Sequence, residues 1–378
     1  MPQPQKQSNN RQAQVRIWNI PVRLFHWTLV GCFITAWLTR DNRYLDIHVF
    51  AGYLMAGLIL FRILWGFIGG PYAHFRDFAF GWHEVWDYVK GVLNRKPSRF
   101  LGHNPAGSWA IYLLLTLGAL ITITGLLGLG GEEQQGPLAG WLSFPQGELA
   151  QSLHELLAWF MSAIVTIHLL GVLAESLLHH ENLVTAMLTG YKPAAAGVIS
   201  APSQWKTGII MLIMILAGGL IWFQGYWTAA PNQPYRPFVG PELPDNDLWR
   251  EECGACHLAF HPSLLPARSW KIMMAEQASH FGEDLFLEPD AVSEIETFLI
   301  ENAAEQEPTE AAWKINRSIP KSETLLRITE APYWLQKHQD ISDATWKDPK
   351  VNSKVNCAAC HLDAELGTFE DAAMRLPN

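Results

Sequence analysis

Five apolar segments approach the length of a membrane-spanning helix, and they restrict the fold more than any other feature of this chain. Their cores lie at about 24–39, 49–69, 107–130, 153–174 and 206–226. Since about 20 apolar residues cross the hydrocarbon of a bilayer, we expect five transmembrane helices. The first segment is the shortest. Helices buried in a soluble core are the alternative, but five segments of this apolarity favour a membrane protein.

The net charge and the polar N-terminal residues exclude further classes of protein. The net charge of −9 and the lack of a basic stripe argue against a nucleic-acid partner. Residues 1–14 are rich in Gln and Asn, and we expect them to be a disordered tail. The first apolar run has no small-residue cleavage site after it, so it is a retained helix and not a signal peptide.

The distribution of Lys and Arg predicts the orientation in the membrane. Basic residues precede the first helix, come after the second and lie between the fourth and fifth, whereas the loop after the third helix has only acidic residues. The short 40–47 loop, with Arg40 and Arg43, is the exception. The majority places the N-terminus in the bacterial cytoplasm, and five crossings then put residue 228 and the rest of the chain in the periplasm.

The chain changes character after the fifth segment. Residues 228–247 hold five prolines and predict an extended linker. Residues 266–281 and 290–304 have helical periodicity, the stretch 242–310 is acidic, and no sustained alternation predicts a sheet. The acidic stretch is either a solvated face or a surface that steers a basic partner.

Two C-x-x-C-H motifs, Cys253 to His257 and Cys357 to His361, lie in this polar region. The pattern is the attachment signature of a c-type haem, in which two thiols bond to the vinyl groups and the histidine binds the iron. The candidates for covalent attachment are Cys253, Cys256, Cys357 and Cys360, and those for the iron are His257 and His361. Such haem is attached outside the bacterial cytoplasm, which agrees with the orientation that the basic residues predict.

A zinc site is the alternative interpretation of two C-x-x-C pairs. However, each pair is followed by a histidine that a four-cysteine site does not need, and the pairs lie about a hundred residues apart. A disulfide-rich domain is disfavoured because the region has no other cysteine. We therefore expect two covalent haems.

Four histidines lie in or beside the apolar segments: His26, His48, His154 and His168. Ionisable groups there are costly and indicate function. His154 and His168 are fourteen residues apart, which puts both on roughly one face of a helix, one near each membrane surface. The depths in the predicted topology pair His26 with His168 and His48 with His154, which suits two stacked haems in a helix bundle. Histidines that only pack between helices are the alternative.

Small and charged residues accompany these histidines. Gly52 and Gly171 come about one turn after His48 and His168, where a missing side chain would admit a porphyrin. Arg62 lies fourteen residues after His48 on a similar face, and a buried arginine needs an anionic partner, for which a haem propionate is our first candidate. Snorkelling to the cytoplasmic surface is the alternative for Arg62.

Residues 15–190 resemble the bacterial cytochrome b-561 family, which includes the cytochrome b subunit of nickel–iron hydrogenases. The resemblance rests on Pro21 to Trp27, His48 to Gly52, Phe61 to Gly66, Gly102 to Gly107 and the His154/His168 pair. It implies a four-helix bundle with two b haems held by the four histidines, and electron exchange with quinone. Arg23 and His103 fall in matching motifs and become cofactor-binding candidates, His103 near a propionate or a quinone; an ordinary loop role is as plausible for His103.

Residues 250–378 resemble the di-haem cytochrome c family. Besides the two C-x-x-C-H motifs, the matching strings are Leu264 to Trp270, His280 to Asp284, Arg327 to Thr329 and Pro332 to His338. The resemblance implies two histidines on each iron. We assign His280 to the first haem and His338 to the second, although a crossed arrangement and His261 as a rival remain open.

The sequence thus predicts an all-α protein: a tail (1–14), a transmembrane cytochrome b domain (15–190), a fifth helix with its connector (191–227), a linker (228–247) and a periplasmic, loop-rich di-haem domain (248–378). We expect electrons from quinol to pass through two b haems and two c haems to a periplasmic acceptor such as a soluble cytochrome c. Alternatives are a periplasmic reductase or peroxidase with an open c haem, a subunit fed by a hydrogenase or another dehydrogenase, and a haem sensor. A homodimer is a further hypothesis.

Overall fold

The computed structural model describes residues 13–376 apart from 42–43, 196, 228–239 and 241. Most of the predicted tail and most of the predicted linker lie outside the described residues. The described chain forms two compact units. The first comprises residues up to Thr124 together with Leu153–Trp227, and the second comprises Gly125–Ser152 together with the chain from residue 228 onward.

Five helices are long and apolar enough to cross a membrane, as the hydropathy predicts. They are α1 (Ile20–Leu38), α2 (Leu45–Ile68), α4 (Pro105–Gly131), α5 (Phe144–His179) and α7 (Trp205–Trp227). Between α2 and α4 lies the amphipathic helix α3 (Trp82–Leu93), and α6 (Leu183–Thr189) comes after α5. The side chain of Asn19 starts α1 by accepting a hydrogen bond from the Val22 amide at 3.0 Å.

The core of the first unit is a cluster to which all five long helices contribute. Its buried members include Phe25, Ile59, Leu117, Met161 and Met211, one from each helix. Their side chains are apolar and interlocked, whereas many apolar residues on the outer faces of the same helices are exposed, such as Leu60, Ile167 and Leu216. Exposed apolar residues at this density suit a surface solvated by lipid.

A two-stranded antiparallel sheet, which the sequence did not predict, joins the segment before α1 to the segment after α6. Strand β1 (Ala13–Arg16) pairs with β2 (Tyr191–Ala194), with Ala13 opposite Ala194. The sheet lies in a cluster with Trp18 and Trp65. It holds the start of the chain beside the segment that comes after α6.

The second unit contains short helices and turns around its own core. The helices are α8 (Asp247–Cys253), α9 (Ala267–Ala275), α10 (Pro289–Glu301), α11 (Glu310–Ser318), α12 (Pro332–His338) and α13 (Asp343–Trp346). Helix α9 lies within the first periodic stretch, and α10 overlaps the second but begins one residue before it. The core contains Trp249, Leu265, Ile295, Ile315 and Trp334. Burying these large apolar groups stabilises a unit with little regular structure of its own.

Candidate haem-binding sites

Two of the four membrane histidines form a close pair within the first unit. The rings of His48, near the start of α2, and His154 on α5 have centroids 5.9 Å apart. Two imidazoles that bind opposite sides of one metal ion, at about 2 Å per bond, have ring centres about 6 Å apart. The spacing of this pair therefore fits a single iron between them.

Backbone carbonyls orient both rings of that pair. The Nδ1 of His48 donates to the carbonyl of Ala36 at 2.9 Å, and the Nδ1 of His154 donates to that of Ile121 at 3.0 Å. A carbonyl only accepts, so the proton is on Nδ1 and the lone pair is on Nε2. This is the tautomer that a metal ligand needs, and the hydrogen bond fixes the ring plane.

The other two membrane histidines, His26 and His168, are close enough to interact electrostatically. The buried Nδ1 of His26 has no hydrogen-bond partner among the described residues. At Gly52 and at Gly171, an added Cβ would have no neighbour within 4 Å. The open space at these glycines leaves room for a flat macrocycle beside the histidines, although Gly31 and Gly57 have equally open surroundings.

Buried polar groups without partners lie in the same unit, where His103 interacts electrostatically with both Arg62 and His168. Arg62 is 3% exposed, and its Nη1 lacks a partner among the described residues, as do Nε1 of Trp65 and Nδ1 of His103. The guanidinium of Arg62 lies 4.8 Å from the ring centre of Phe75. Buried donors of this kind need an acceptor, and a haem propionate supplies one. The residues present therefore fit the anionic edge of a haem.

His103 is held between two aromatic rings, those of Trp18 at 4.6 Å and Phe78 at 4.3 Å. Burial, with the nearby charge of Arg62, lowers the pKa of His103 to about 3, so the imidazole is neutral. A cavity of about 270 Å³ is lined by His103, Arg99 and Tyr72, among others. Arg23, the remaining candidate, donates to the carbonyls of Met187 and Leu188 at the end of α6.

The second unit brings together the histidines of the two C-x-x-C-H motifs and the two predicted distal histidines. The ring centroids of His257 and His280 are 6.3 Å apart, and those of His338 and His361 are 6.2 Å apart. Nδ1 of His257 donates to the carbonyl of Leu258 at 2.7 Å, and Nδ1 of His338 donates to that of Trp334 at 2.8 Å. Both rings thus present Nε2, and the uncrossed assignment agrees with these distances.

The surroundings keep these groups neutral and available. Burial lowers the pKa of His280, His338 and His361, which favours the uncharged imidazole. Among the described residues the cysteines form no disulfide, so Cys253, Cys256, Cys357 and Cys360 are free thiols. The indole of Trp334 stacks on His338 at 4.2 Å. The donor set fits two covalently attached haems.

His261, the rival ligand, is tied up elsewhere. Its Nε2 lies 3.2 Å from the carbonyl of Pro244, which requires the proton on Nε2, and its Nδ1 accepts from the Ser263 amide at 3.2 Å. The ring is 5% exposed, and a Cβ on Gly367 would collide with it. The hydrogen bonds of His261 therefore stabilise the turn at Pro262.

Sequence reasoning missed the acceptors that orient the rings, because they are backbone carbonyls and carry no residue signature. It also gave no separate role to Trp65, although Trp65 lies three residues after Arg62 and hence on the same side of α2. That spacing was the available signal.

Comparison with known protein families agrees with both halves. Residues 17–190 match the family model of prokaryotic cytochrome b561, and residues 249–369 match that of dihaem cytochrome c. The chain joins a cytochrome b561 domain to a dihaem cytochrome c domain. It is therefore an integral membrane protein of electron transfer that carries haem b and haem c.

Each individual relative matches one of the two domains. The probable Ni/Fe-hydrogenase B-type cytochrome subunit of Azotobacter vinelandii is 27% identical over 218 residues, which cover 48% of this chain and 90% of that protein. Its counterpart in Rhizobium leguminosarum is 26% identical over 216 residues, 47% of this chain and 89% of that protein. The diheme cytochrome c from Rhodobacter sphaeroides is 40% identical and covers 34% of this chain and all of that chain, with a TM-score of 0.31.

Proposed function

We propose that this cytochrome b561–dihaem cytochrome c protein oxidises quinol in the bacterial inner membrane and passes the electrons to a periplasmic acceptor, as part of a respiratory chain. Two haem b and two haem c would carry one electron each by cycling of their irons between the ferric and ferrous states. The observation that carries the proposal is the set of three imidazole pairs spaced 5.9, 6.3 and 6.2 Å apart.

The proposed ligands are eight histidines in four pairs. They are His26 with His168, His48 with His154, His257 with His280, and His338 with His361. Arg62 would bind propionate oxygen, His103 would contact either a propionate or the quinol, and the four cysteines of the C-x-x-C-H motifs would attach the two c haems. The protein's contribution is to fix the tautomer of each ring, to bury the cofactors and to set their surrounding charge.

The quinol would enter beside His103. The cavity there combines aromatic walls with the neutral imidazole and the guanidinium of Arg99, which is the mixture of apolar surface and few polar groups that small-molecule sites use. The charge pattern supports an N-terminus in the cytoplasm, with the cavity on that side and the dihaem domain in the periplasm. A basic soluble cytochrome c is the acceptor that the acidic 242–310 stretch favours.

A quinol-driven reduction assay on purified protein tests the proposal. Spectra that resolve the b and c absorption bands should show b haem reduced first and c haem afterwards. A His103→Ala variant should slow the first phase and leave chemical reduction by dithionite unchanged. If quinol reduces neither haem type in intact protein, the proposal is wrong.

A second candidate function is that of a subunit which receives electrons from a hydrogenase. The names of the relatives that match the b561 half favour it. Co-purification of a hydrogenase with this chain, together with hydrogen-driven reduction of its haems, would establish this function in place of quinol oxidation.

The imidazole pairs argue against a peroxidase or reductase, which needs an open position on one c haem. Optical spectra of the oxidised protein should show low-spin iron only. A high-spin c haem in the intact chain would revive that alternative.

A further inference from the structure

The segment between α4 and α5 has no part in the proposed electron transfer, yet it is built into the second unit. We call residues Gly125–Ser152 the connecting segment; they include the last turns of α4 and the first turns of α5. The contacts of this segment with helix α11 therefore lie within the second unit.

The connecting segment is internally rigid. The buried amide of Gln134 donates to the carbonyls of Gly131 and Leu142, each at 3.1 Å, and accepts from the Gly140 amide at 2.9 Å. A Cβ on Gly147 would collide with the Glu132 backbone nitrogen, so only glycine allows this close approach. The segment therefore presents a fixed surface and not a mobile loop.

Helix α11 of the dihaem domain contacts that surface through aromatic rings. Phe144, 3% exposed, packs against Trp313 with ring centroids 5.0 Å apart. The guanidinium of Arg317 lies 4.5 Å from the centre of the Trp313 ring. An aromatic pair with one buried ring, flanked by a cation, is a common composition of an interface hot spot.

Charge completes the contact. The ammonium of Lys314 lies 3.9 Å from a carboxylate oxygen of Glu132, 3.8 Å from one of Glu148 and 3.2 Å from one of Glu310. Glu132 and Glu148 belong to the connecting segment, whereas Glu310 belongs to α11. One lysine therefore bridges carboxylates from both sides, and reversing its charge would leave an all-acidic cluster.

We propose that the face of α11 formed by Trp313, Lys314 and Arg317 is a docking surface for the connecting segment, and that this contact holds the dihaem domain to the membrane protein independently of the linker at 228–247. The contact would act in the same way whichever donor supplies the electrons.

Cutting the chain between the domains tests the proposal in the full-length protein. A protease recognition site is inserted within residues 228–239, membranes are treated with the protease at low ionic strength, and covalent haem is measured in the pellet and the supernatant. The proposal expects the dihaem fragment to stay in the pellet after cleavage. Release of the wild-type fragment would overturn it.

Charge variants separate docking from general stability. Lys314→Glu should release most of the cleaved fragment, and Lys314→Glu combined with Glu148→Lys should restore retention. Lys321→Glu is the matched control, since this exposed lysine lies just beyond α11, and it should behave like the wild type. Equal retention in wild type and Lys314→Glu would mean that the contact does not hold the domain. None of these outcomes depends on reactivity with quinol.

Discussion

At the scale of residues, the histidine positions were predictable but their environments were not. The spacing of His154 and His168 along α5 limits where their imidazoles can point, and so does the fixed spacing within C-x-x-C-H. Both spacings can be read from the sequence. The choice of His280 over His261 rested on a resemblance and on the position of His261 only four residues after His257, because the bond from His261 to the Pro244 carbonyl is visible only in three dimensions. The unpartnered donors of Arg62 and Trp65 likewise appear only once burial is known.

Replacing His154 or His168 by alanine should remove one b haem in each case and leave covalent haem intact. Each change deletes the imidazole of a different proposed pair, and a haem held non-covalently by one histidine is lost readily. Pyridine haemochrome spectra give the ratio of b to c haem directly. Loss of both b haems in either variant would contradict independent pairs.

Arg62 should tune the haem nearest to it. Removing the buried positive charge in Arg62→Gln lowers the reduction potential of that b haem, because the ferric form is then less disfavoured. Potentiometric titration followed at the b bands measures the shift. The control Arg62→Lys retains the charge and should shift the potential less; an unchanged potential in Arg62→Gln would place the arginine away from the haem.

At the scale of elements, the long helices could be predicted from hydropathy. The short helices and the sheet depend on tertiary contacts, which the sequence does not display. Runs of about 20 apolar residues have few alternatives in a membrane. Strands β1 and β2 have four residues each and lie more than 170 residues apart, so neither shows an alternation long enough to detect. Helix α3 was missed because its apolar face carries only a few residues, among them Val85 and Tyr88.

Glu133 gives the connecting segment a pH dependence. Burial, with the nearby charges of Glu310 and Asp371, raises the pKa of Glu133 to about 8 from 4.5. The folded state therefore holds a proton that the unfolded state releases, and stability falls as pH rises from about 4.5 through 8. We expect the second unit to melt at a lower temperature at pH 9 than at pH 6, measured by absorbance of the c haems.

The variant Glu133→Gln keeps the shape of the side chain and removes its ionisable carboxyl group. Its melting temperature should vary less between pH 6 and pH 9 than that of the wild type. Glu370, whose pKa burial and the charge of Glu133 raise to about 9, should account for part of the remaining slope. A slope identical to that of the wild type would show that Glu133 is solvated.

At the scale of the whole molecule, both families could be recognised from the sequence, because the motifs of each family lie in a separate part of the chain. The division into two compact units could not be predicted from the sequence. Gly125–Ser152 lies within the residues that match cytochrome b561, but it packs in the second unit. Contacts such as that of Phe144 with Trp313 join residues far apart in sequence, and neither residue shows an unusual local pattern.

Electron delivery to a basic acceptor should depend on ionic strength. The acidic 242–310 stretch would attract such a partner, and salt screens the attraction over about 10 Å at 0.1 M. The rate of reduction of a basic cytochrome c by the pre-reduced protein should fall as salt rises from low to physiological concentration. A rate that does not change with salt would rule out steering.

The predicted topology places the C-terminus in the periplasm. A fusion of alkaline phosphatase after residue 378 should be active in intact cells, and a fusion after His180 should be inactive because that position would be cytoplasmic. The reverse pattern would also conflict with covalent attachment of the c haems.

The closed imidazole pairs have a consequence for life in air. An iron held between two such imidazoles would have no free axial position at which dioxygen could bind. The same closure would make the protein indifferent to carbon monoxide and cyanide. Cells relying on it could keep this branch of electron flow running when gases or poisons stop an enzyme with an open haem.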